Sequence, residues 1–199
     1  MVTTRGFRGR RADVDDKRVP PGQHVTNGFP VLSAGPTPHT PLTEWSFTLR
    51  GAVDRPIRWT WEEFQALPSE TVTVDIHCVT KWSKLGTTWT GVAIDTLLED
   101  VETSADFVLI FSDGGYTTNL PLEDLMDGKA WIAYEYEKQP LELEHGGPAR
   151  LLVPHLYFWK SAKWVRGFEL RGDDEPGFWE RYGYHNYGDP WREQRYDGD

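Results

Sequence analysis

A single cysteine, Cys78, closes a segment in which apolar residues alternate: Val72, Val74, Ile76, Cys78. Free cysteine commonly behaves as a small buried hydrophobe, and packing alone would account for one that extends an apolar strand face. What singles out Cys78 is the run that follows it, Val79-Thr80-Lys81-Trp82-Ser83-Lys84. Two nearby ammonium groups favour thiolate over thiol, and thiolate is the form that ligates a metal. A loop after a strand also leaves the sulfur accessible, which a mid-strand position would not.

A second constellation begins at Gly146-Gly147-Pro148-Ala149-Arg150 and continues through Pro154 to Lys163. Between Arg150 and Arg171 there are five basic residues, at 150, 160, 163, 166 and 171, against one acid, Glu169. In a chain of formal charge -10 this is a local reversal of sign. Arg150 can hold a phosphate in bidentate fashion and Lys160 can add a point charge. Neighbouring glycines let backbone N–H groups approach an anion closely. A solvated basic strand paired with carboxylates elsewhere is the plainer alternative.

The histidines, at 24, 39, 77, 145, 155 and 185, show no C-x-x-C or H-x-x-x-H spacing. His77 and Cys78 are adjacent and on a strand point to opposite faces. A structural zinc site is not expected.

These residues need elements to hold them. Trp45, Phe47 and Leu49 share one face of a strand, and Gly51-Ala52 starts a turn toward Ile57 and Trp59. Thr60 and Glu63 have capping-box spacing, which predicts a short helix through Phe64 and Leu67 stopped by Pro68. A strand over 71–78 follows, then a short helix over 93–98 and strands at 107–111, 116–120, 131–134, 150–153 and 164–170. One or two helical turns are expected over 121–126. Strands dominate, helices are short and no βαβ rhythm repeats, so the fold class is α+β with a mixed or mainly antiparallel sheet.

Residues 1–20 read as a disordered start, and 21–199 as a single domain whose early part, to about residue 43, is an arm laid over it. The apolar stretch Phe29-Pro30-Val31-Leu32 argues that the arm docks. After Gly172 the chain is acidic and ring-rich, with Trp179, Tyr182, Tyr184, Tyr187, Trp191 and Tyr196; so much ring surface predicts a docked extension.

Composition narrows the functional classes. The charge argues against nucleic acid and anionic membrane as partners. One cysteine cannot make an intrachain disulfide, and no run of about 18 apolar residues spans a bilayer. Arg10-Arg11 suggests a twin-arginine signal, but Asp13, Asp15 and Asp16 follow without an apolar region, so the expected location is cytoplasmic.

The segment Asp75-Ile76-His77-Cys78-Val79-Thr80-Lys81-Trp82-Ser83, with Trp89-Thr90-Gly91-Val92, resembles the molybdenum-ligand segment of the sulfite oxidase superfamily. So does Gly146-Gly147-Pro148-Ala149-Arg150-Leu151-Leu152-Val153-Pro154 through Trp159-Lys160-Ser161-Ala162-Lys163-Trp164. The resemblance runs from about Gly28 to the C-terminus. It is strongest to prokaryotic single-domain sulfite-oxidase-like proteins, the branch that includes the protein-methionine-sulfoxide reductase catalytic subunit. It implies a sulfite-oxidase-like fold and a molybdopterin whose dithiolene holds molybdenum, with Cys78 as protein ligand and the catalytic residue. By the same resemblance Arg150, Lys160 and Lys163 belong to the basic block that binds the pterin or its phosphate. Phe158 and Trp159 contact the cofactor along the backbone, and His145 and Thr118 fall at cofactor contacts. Phe29 and Val31 lie in the arm that covers the pterin.

The chain departs from the pattern at three places. Vertebrate and plant sulfite oxidases follow the ligand cysteine with Ala-Gly-Asn-Arg, and here Val79-Thr80-Lys81-Trp82 stands instead. Their arm carries an arginine that meets sulfite, where this chain has Thr26-Asn27-Gly28. The reductase branch has an acid two residues past the cysteine, and here that residue is Thr80. Neither the C-terminal dimerisation domain nor a haem domain is expected. The resemblance implies oxygen-atom transfer, with reduction of a small S-oxide or N-oxide the first expectation. Sulfite oxidation, or a molybdopterin carrier without turnover, are the alternatives. With no second redox centre evident, electrons pass to or from a separate protein.

Overall fold

The computed structural model describes residues 16–199. Most of the segment expected to be disordered, 1–20, lies outside the described residues. Those residues open with a 3-10 turn, Asp16–Arg18, and Arg18 Nε donates to Asp75 at 2.8 Å.

Eleven strands follow among the described residues. They are β1 (His24–Val25), β2 (Ser46–Gly51), β3 (Ile57–Thr60), β4 (Glu70–His77), β5 (Trp82–Ala93), β6 (Phe107–Ser112), β7 (Thr117–Pro121), β8 (Trp131–Tyr136), β9 (Gln139–Pro140), β10 (Arg150–Leu152) and β11 (Val165–Arg171). Three short helices accompany them: α1 (Trp61–Gln65), α2 (Ile94–Leu98) and α3 (Phe178–Arg181). The capping box expected at α1 is present, with Thr60 Oγ1 accepting from Glu63 N and Glu63 accepting from Thr60 N. Strands with few, short helices are the α+β class expected.

The strands form two sheets. In one, β1, β5, β8 and β10 lie in that order, with β4 also paired to β5 and β9 to β8. In the other the order is β3-β2-β11-β6-β7. Pairing is antiparallel except β1 with β5 and β11 with β2. Side chains alternate across a strand, so the first sheet presents two apolar faces. Val92, Ile132 and Leu151 look into a core shared with Phe47, Ile110 and Phe168 of the second sheet and with Phe64 of α1. On the far face Ile76, Trp82, Trp89, Trp131 and Leu152 gather with Cys78, Tyr157 and Trp159.

The residues after Cys78 differ from the expected loop. Lys81 N donates to Cys78 O at 3.0 Å and Cys78 N to Trp82 O at 2.9 Å, closing a tight turn with Lys81 at φ 75. The chain then runs straight into the twelve-residue β5, the backbone of the first sheet. Thr87, Thr88 and Thr90 suit an extended strand, but Lys84, Gly86 and Gly91 hide its pattern from a sequence reading.

Candidate functional site

A cavity of about 670 Å³ opens on the far face of the first sheet. That is ordinary for a cofactor or small-molecule site. Its walls come from the arm (Phe29, Pro30, Leu32 and 33–38), the Cys78 turn, the Asp113-Gly114 turn, Arg150, Phe158, Trp159 and the 161–164 segment, and α3 with Tyr184.

Cys78 stands in this wall, 6% exposed. Burial pushes its thiol pKa up; hydrogen bonds from the Thr80 hydroxyl, at 3.2 Å, and from the backbone N–H groups of Thr80 and Val79 oppose the shift. None of these groups is charged. The two lysines expected to favour thiolate do not act on it: Lys81 is exposed at the turn, and Lys84 Nζ donates to Asn27 O at 2.6 Å. His77, on the opposite face of the strand, is pushed down to about 4 mainly by burial, with Asp75 opposing, and is neutral at pH 7.

The basic block is divided. Arg150 is 2% exposed and lines the cavity. Its guanidinium donates to His145 O and Ser161 O, each at 2.7 Å, and lies 4.1 Å over the Phe158 ring. Among the described residues no carboxylate bonds it. Lys163 lines the same region, donating to Glu144 O at 2.8 Å; burial first, then Arg150, pushes its pKa down to about 8. His145 also lines it, its ring stacked 3.9 Å from Phe29, and burial and Arg150 lower its pKa. Gly146, at φ +112, lets this edge close: a Cβ there would sit 3.0 Å from Lys163 Cβ and 3.1 Å from Arg150 Cβ.

Three expected contacts are not brought to the cavity. Lys160 Nζ is 2.6 Å from Glu180 Oε1 in a buried ion pair, and also donates to the carbonyls of Asn119 and Asn186. With its hydrogens so engaged it has none to offer a phosphate. Thr118 gives its hydroxyl to the same Glu180 at 3.0 Å. Val31 is 44% exposed, while its neighbours Pro30 and Leu32 line the wall. Phe29, Cys78, His145, Arg150, Phe158, Trp159 and Lys163 do line it. Sequence reasoning missed Asp113, Gly114 and Tyr116, and did not assign Trp179 and Tyr184 to the wall. The Asp113-Gly114-Gly115 run was the available signal, since paired glycines mark a turn that can approach a ligand.

The donor set suits a metal bound through a second, non-protein chelator. The one cluster of His, Cys, Asp and Glu close enough to share an ion among the described residues is Glu142, Glu144 and His145, which excludes Cys78. A metal held at Cys78 would therefore need its other ligands from a non-protein group such as a pterin dithiolene. Arg150 supplies the second test. A buried cation without a counter-charge is costly, and a phosphate in the adjoining cavity would complete it.

A family model described as the oxidoreductase molybdopterin binding domain matches residues 34–179. The chain is 45% identical over 185 residues to the uncharacterized oxidoreductase YuiH of Bacillus subtilis (strain 168), covering 92% of this chain and 93% of YuiH. It is 27% identical over 183 residues to the protein-methionine-sulfoxide reductase catalytic subunit MsrP of Pseudomonas syringae pv. tomato, covering 81% of this chain and 52% of that one. The crystal structure of the sulfane dehydrogenase SoxCD from Paracoccus pantotrophus shares the fold, with a TM-score of 0.63 at 20% identity, over 69% of this chain and 41% of that one. The chain thus spans nearly all of YuiH but about half of MsrP. Among the described residues no helix is long and apolar enough to cross a membrane. The two mixed sheets are the sulfite-oxidase-like arrangement that the Cys78 and Arg150 segments implied, and the chain belongs to the oxidoreductase molybdopterin-binding domain family, a family of enzymes.

Proposed function

We propose that this chain carries out molybdenum-dependent oxygen-atom transfer, reducing a small neutral S-oxide or N-oxide with electrons from a separate redox protein. Cys78 would ligate the metal, with Arg150, Lys163 and His145 holding the phosphate and pterin and Phe158 and Trp159 flanking them. The molybdenum centre, when bound, supplies the two-electron oxygen-atom chemistry. Each turnover takes two electrons and two protons and releases the reduced compound and water.

The observation that carries the choice of substrate is that the hydrogen bonds opposing burial of the Cys78 thiol come from neutral groups alone, while the cavity's cations, Arg150 and Lys163, are assigned to the cofactor. Val79, Thr80, Trp82, Trp179 and Tyr184 line the cavity with it, and no cation is among the groups that act on its thiol. Sulfite is a dianion near neutral pH and needs fixed positive charge close to the metal; a neutral oxide does not. The relative named as a methionine-sulfoxide reductase supports the same direction.

The test compares kcat/KM for a neutral sulfoxide or N-oxide with reduced protein against that for sulfite with oxidised protein. Artificial one-electron reagents stand in for the partner, and molybdenum content is measured on each sample. The oxide is expected to be turned over faster. Efficient sulfite oxidation with negligible oxide reduction would reverse the assignment, and full molybdenum loading without either activity would make the chain a carrier.

A further inference from the structure

Three hydrogen-bonding groups meet the Cys78 sulfur, and two of them belong to the backbone: the N–H groups of Val79 and Thr80. The third is the Thr80 hydroxyl, whose Oγ1 lies 3.2 Å from Sγ. Any residues but proline in this turn would supply the first two. Only a side chain with a donor at position 80 supplies the third.

The turn is held without that side chain. Cys78 N donates to Trp82 O at 2.9 Å, Lys81 N to Cys78 O at 3.0 Å, and His24 N of β1 to Lys81 O at 2.9 Å. Gln23 Nε2 adds a bond to Cys78 O at 3.0 Å. Thr80 itself stands exposed on the cavity wall, outside both cores. Its contact with the sulfur is therefore a choice of side chain and not a requirement of the fold.

The direction of the bond follows from the state of the sulfur. A free thiol can donate to the hydroxyl or accept from it. A thiolate bound to a metal carries no proton and can only accept, so the hydroxyl must donate. A hydrogen bond to a ligand sulfur draws electron density away from the metal and favours its more reduced state.

We propose that Thr80 is a positioning residue that acts on the metal through Cys78: its hydroxyl, donating to the ligand thiolate, raises the potential at which molybdenum is reduced. The inference rests on the ligation of molybdenum by Cys78 proposed above, and not on the choice of substrate. In an oxide reductase the bond lets a partner of modest reducing power charge the metal, while lessening the driving force for oxygen transfer.

The experiment uses the molybdenum-loaded full chain with Thr80→Val, Thr80→Ser and Thr80→Asp, the melting temperature of each checking its fold. Two readings are taken: the paramagnetic Mo(V) signal as the solution potential is stepped, and the energy of the sulfur-to-molybdenum charge-transfer absorption. Thr80→Val keeps the shape and loses the donor, and should lower the potential. The ratio of reduced to oxidised metal at a given setting should fall by up to about tenfold, or about 59 mV for one electron. Its absorption band should move to lower energy, because the sulfur electrons are held less tightly. Thr80→Ser should match the original chain in both readings. Thr80→Asp, whose ionised carboxylate accepts only, should lower the potential at least as far as Thr80→Val. Unchanged potential and band in Thr80→Val would overturn the proposal, as would a shift that Thr80→Ser shares. A change confined to KM for the oxide would overturn it too, and would assign the hydroxyl to the substrate. If the shifts appear in a protein that oxidises sulfite and leaves oxides alone, Thr80 keeps its role and only the proposed direction of catalysis fails.

Discussion

Lys160 Nζ and Glu180 Oε1 lie 2.6 Å apart with their side chains 0% and 1% exposed, so the basic segment after β10 is fastened to α3 by an ion pair closed to water. The same carboxylate oxygen accepts from Trp159 Nε1 at 2.9 Å and from Thr118 Oγ1 at 3.0 Å. The pair thereby fixes Trp159, a wall residue, against the element that carries Trp179. Removing one member strands a buried charge, which costs about 3–5 kcal/mol. Glu180→Ala and Lys160→Ala should each destabilise the protein by that amount in denaturant titrations. Lys160→Met with Glu180→Leu should recover much of it, since a buried pair exchanged for apolar volume is often neutral. If Lys160→Ala instead leaves stability intact and lowers cofactor content alone, the lysine serves the cofactor directly.

Cys78→Ser tests the ligand. The exchange is nearly isosteric, so stability should change by less than about 1 kcal/mol, while a neutral hydroxyl replaces the soft thiolate that molybdenum needs. Turnover should be lost with pterin still bound, measured as pterin fluorescence after release. Wild-type activity in Cys78→Ser with molybdenum present would remove Cys78 from the chemistry.

Arg150→Met is expected to separate binding from folding. The guanidinium has carbonyls and rings for partners and faces the cavity. Removing a charge-assisted hydrogen bond to phosphate should weaken cofactor binding by roughly 1.5–3 kcal/mol, or about 10- to 150-fold. The melting-temperature gap between loaded and empty protein should shrink with it, because a ligand bound by the native state alone stabilises that state. Full cofactor content in the variant would show that the cation is structural.

Much of this was legible in the residues, and the failures are instructive. The α1 capping box, the strands around Phe47 and Ile110 and the Cys78 face all follow from local spacing, which is where sequence is most informative. The long β5 was missed because Lys84, Gly86 and Gly91 resemble a loop; only its pairing with β4 and β8 makes it a strand. Lys160 is drawn away from the cavity wall for a different reason. Its partner Glu180 is twenty residues away in sequence, and a buried ion pair leaves no local mark, so a lysine in a basic run reads as free for a ligand. Lys81 and Lys84 show the same limit: proximity in sequence to Cys78 did not become proximity of charge to sulfur.

Lys163 gives a pH dependence with a definite sign. In the ligand-free protein burial first, then the neighbouring Arg150, push its pKa down to about 8, with Glu144 opposing. A phosphate beside it favours the charged form and raises that pKa on binding. Lys163 is therefore already charged below about pH 8, and above it each binding event must take up a proton. Affinity should be level below pH 8 and fall as pH rises from there, by at most about tenfold per unit until the bound-state pKa is reached. The phosphate remains fully ionised over this range, its second pKa being about 6. Arg150, though its pKa is also lowered by burial, stays protonated as arginine does and adds no slope of its own. His145, lowered by burial and by Arg150, is neutral throughout the window. The measurement is the Kd of the ligand-free chain for molybdopterin from pH 7 to 10, read from quenching of tryptophan fluorescence. Lys163→Arg should flatten the fall, because a guanidinium keeps its charge across it. Lys163→Met should be flat as well, but weaker at pH 7. A wild-type slope that persists in Lys163→Arg would assign the proton to another group and leave Lys163 outside the phosphate site.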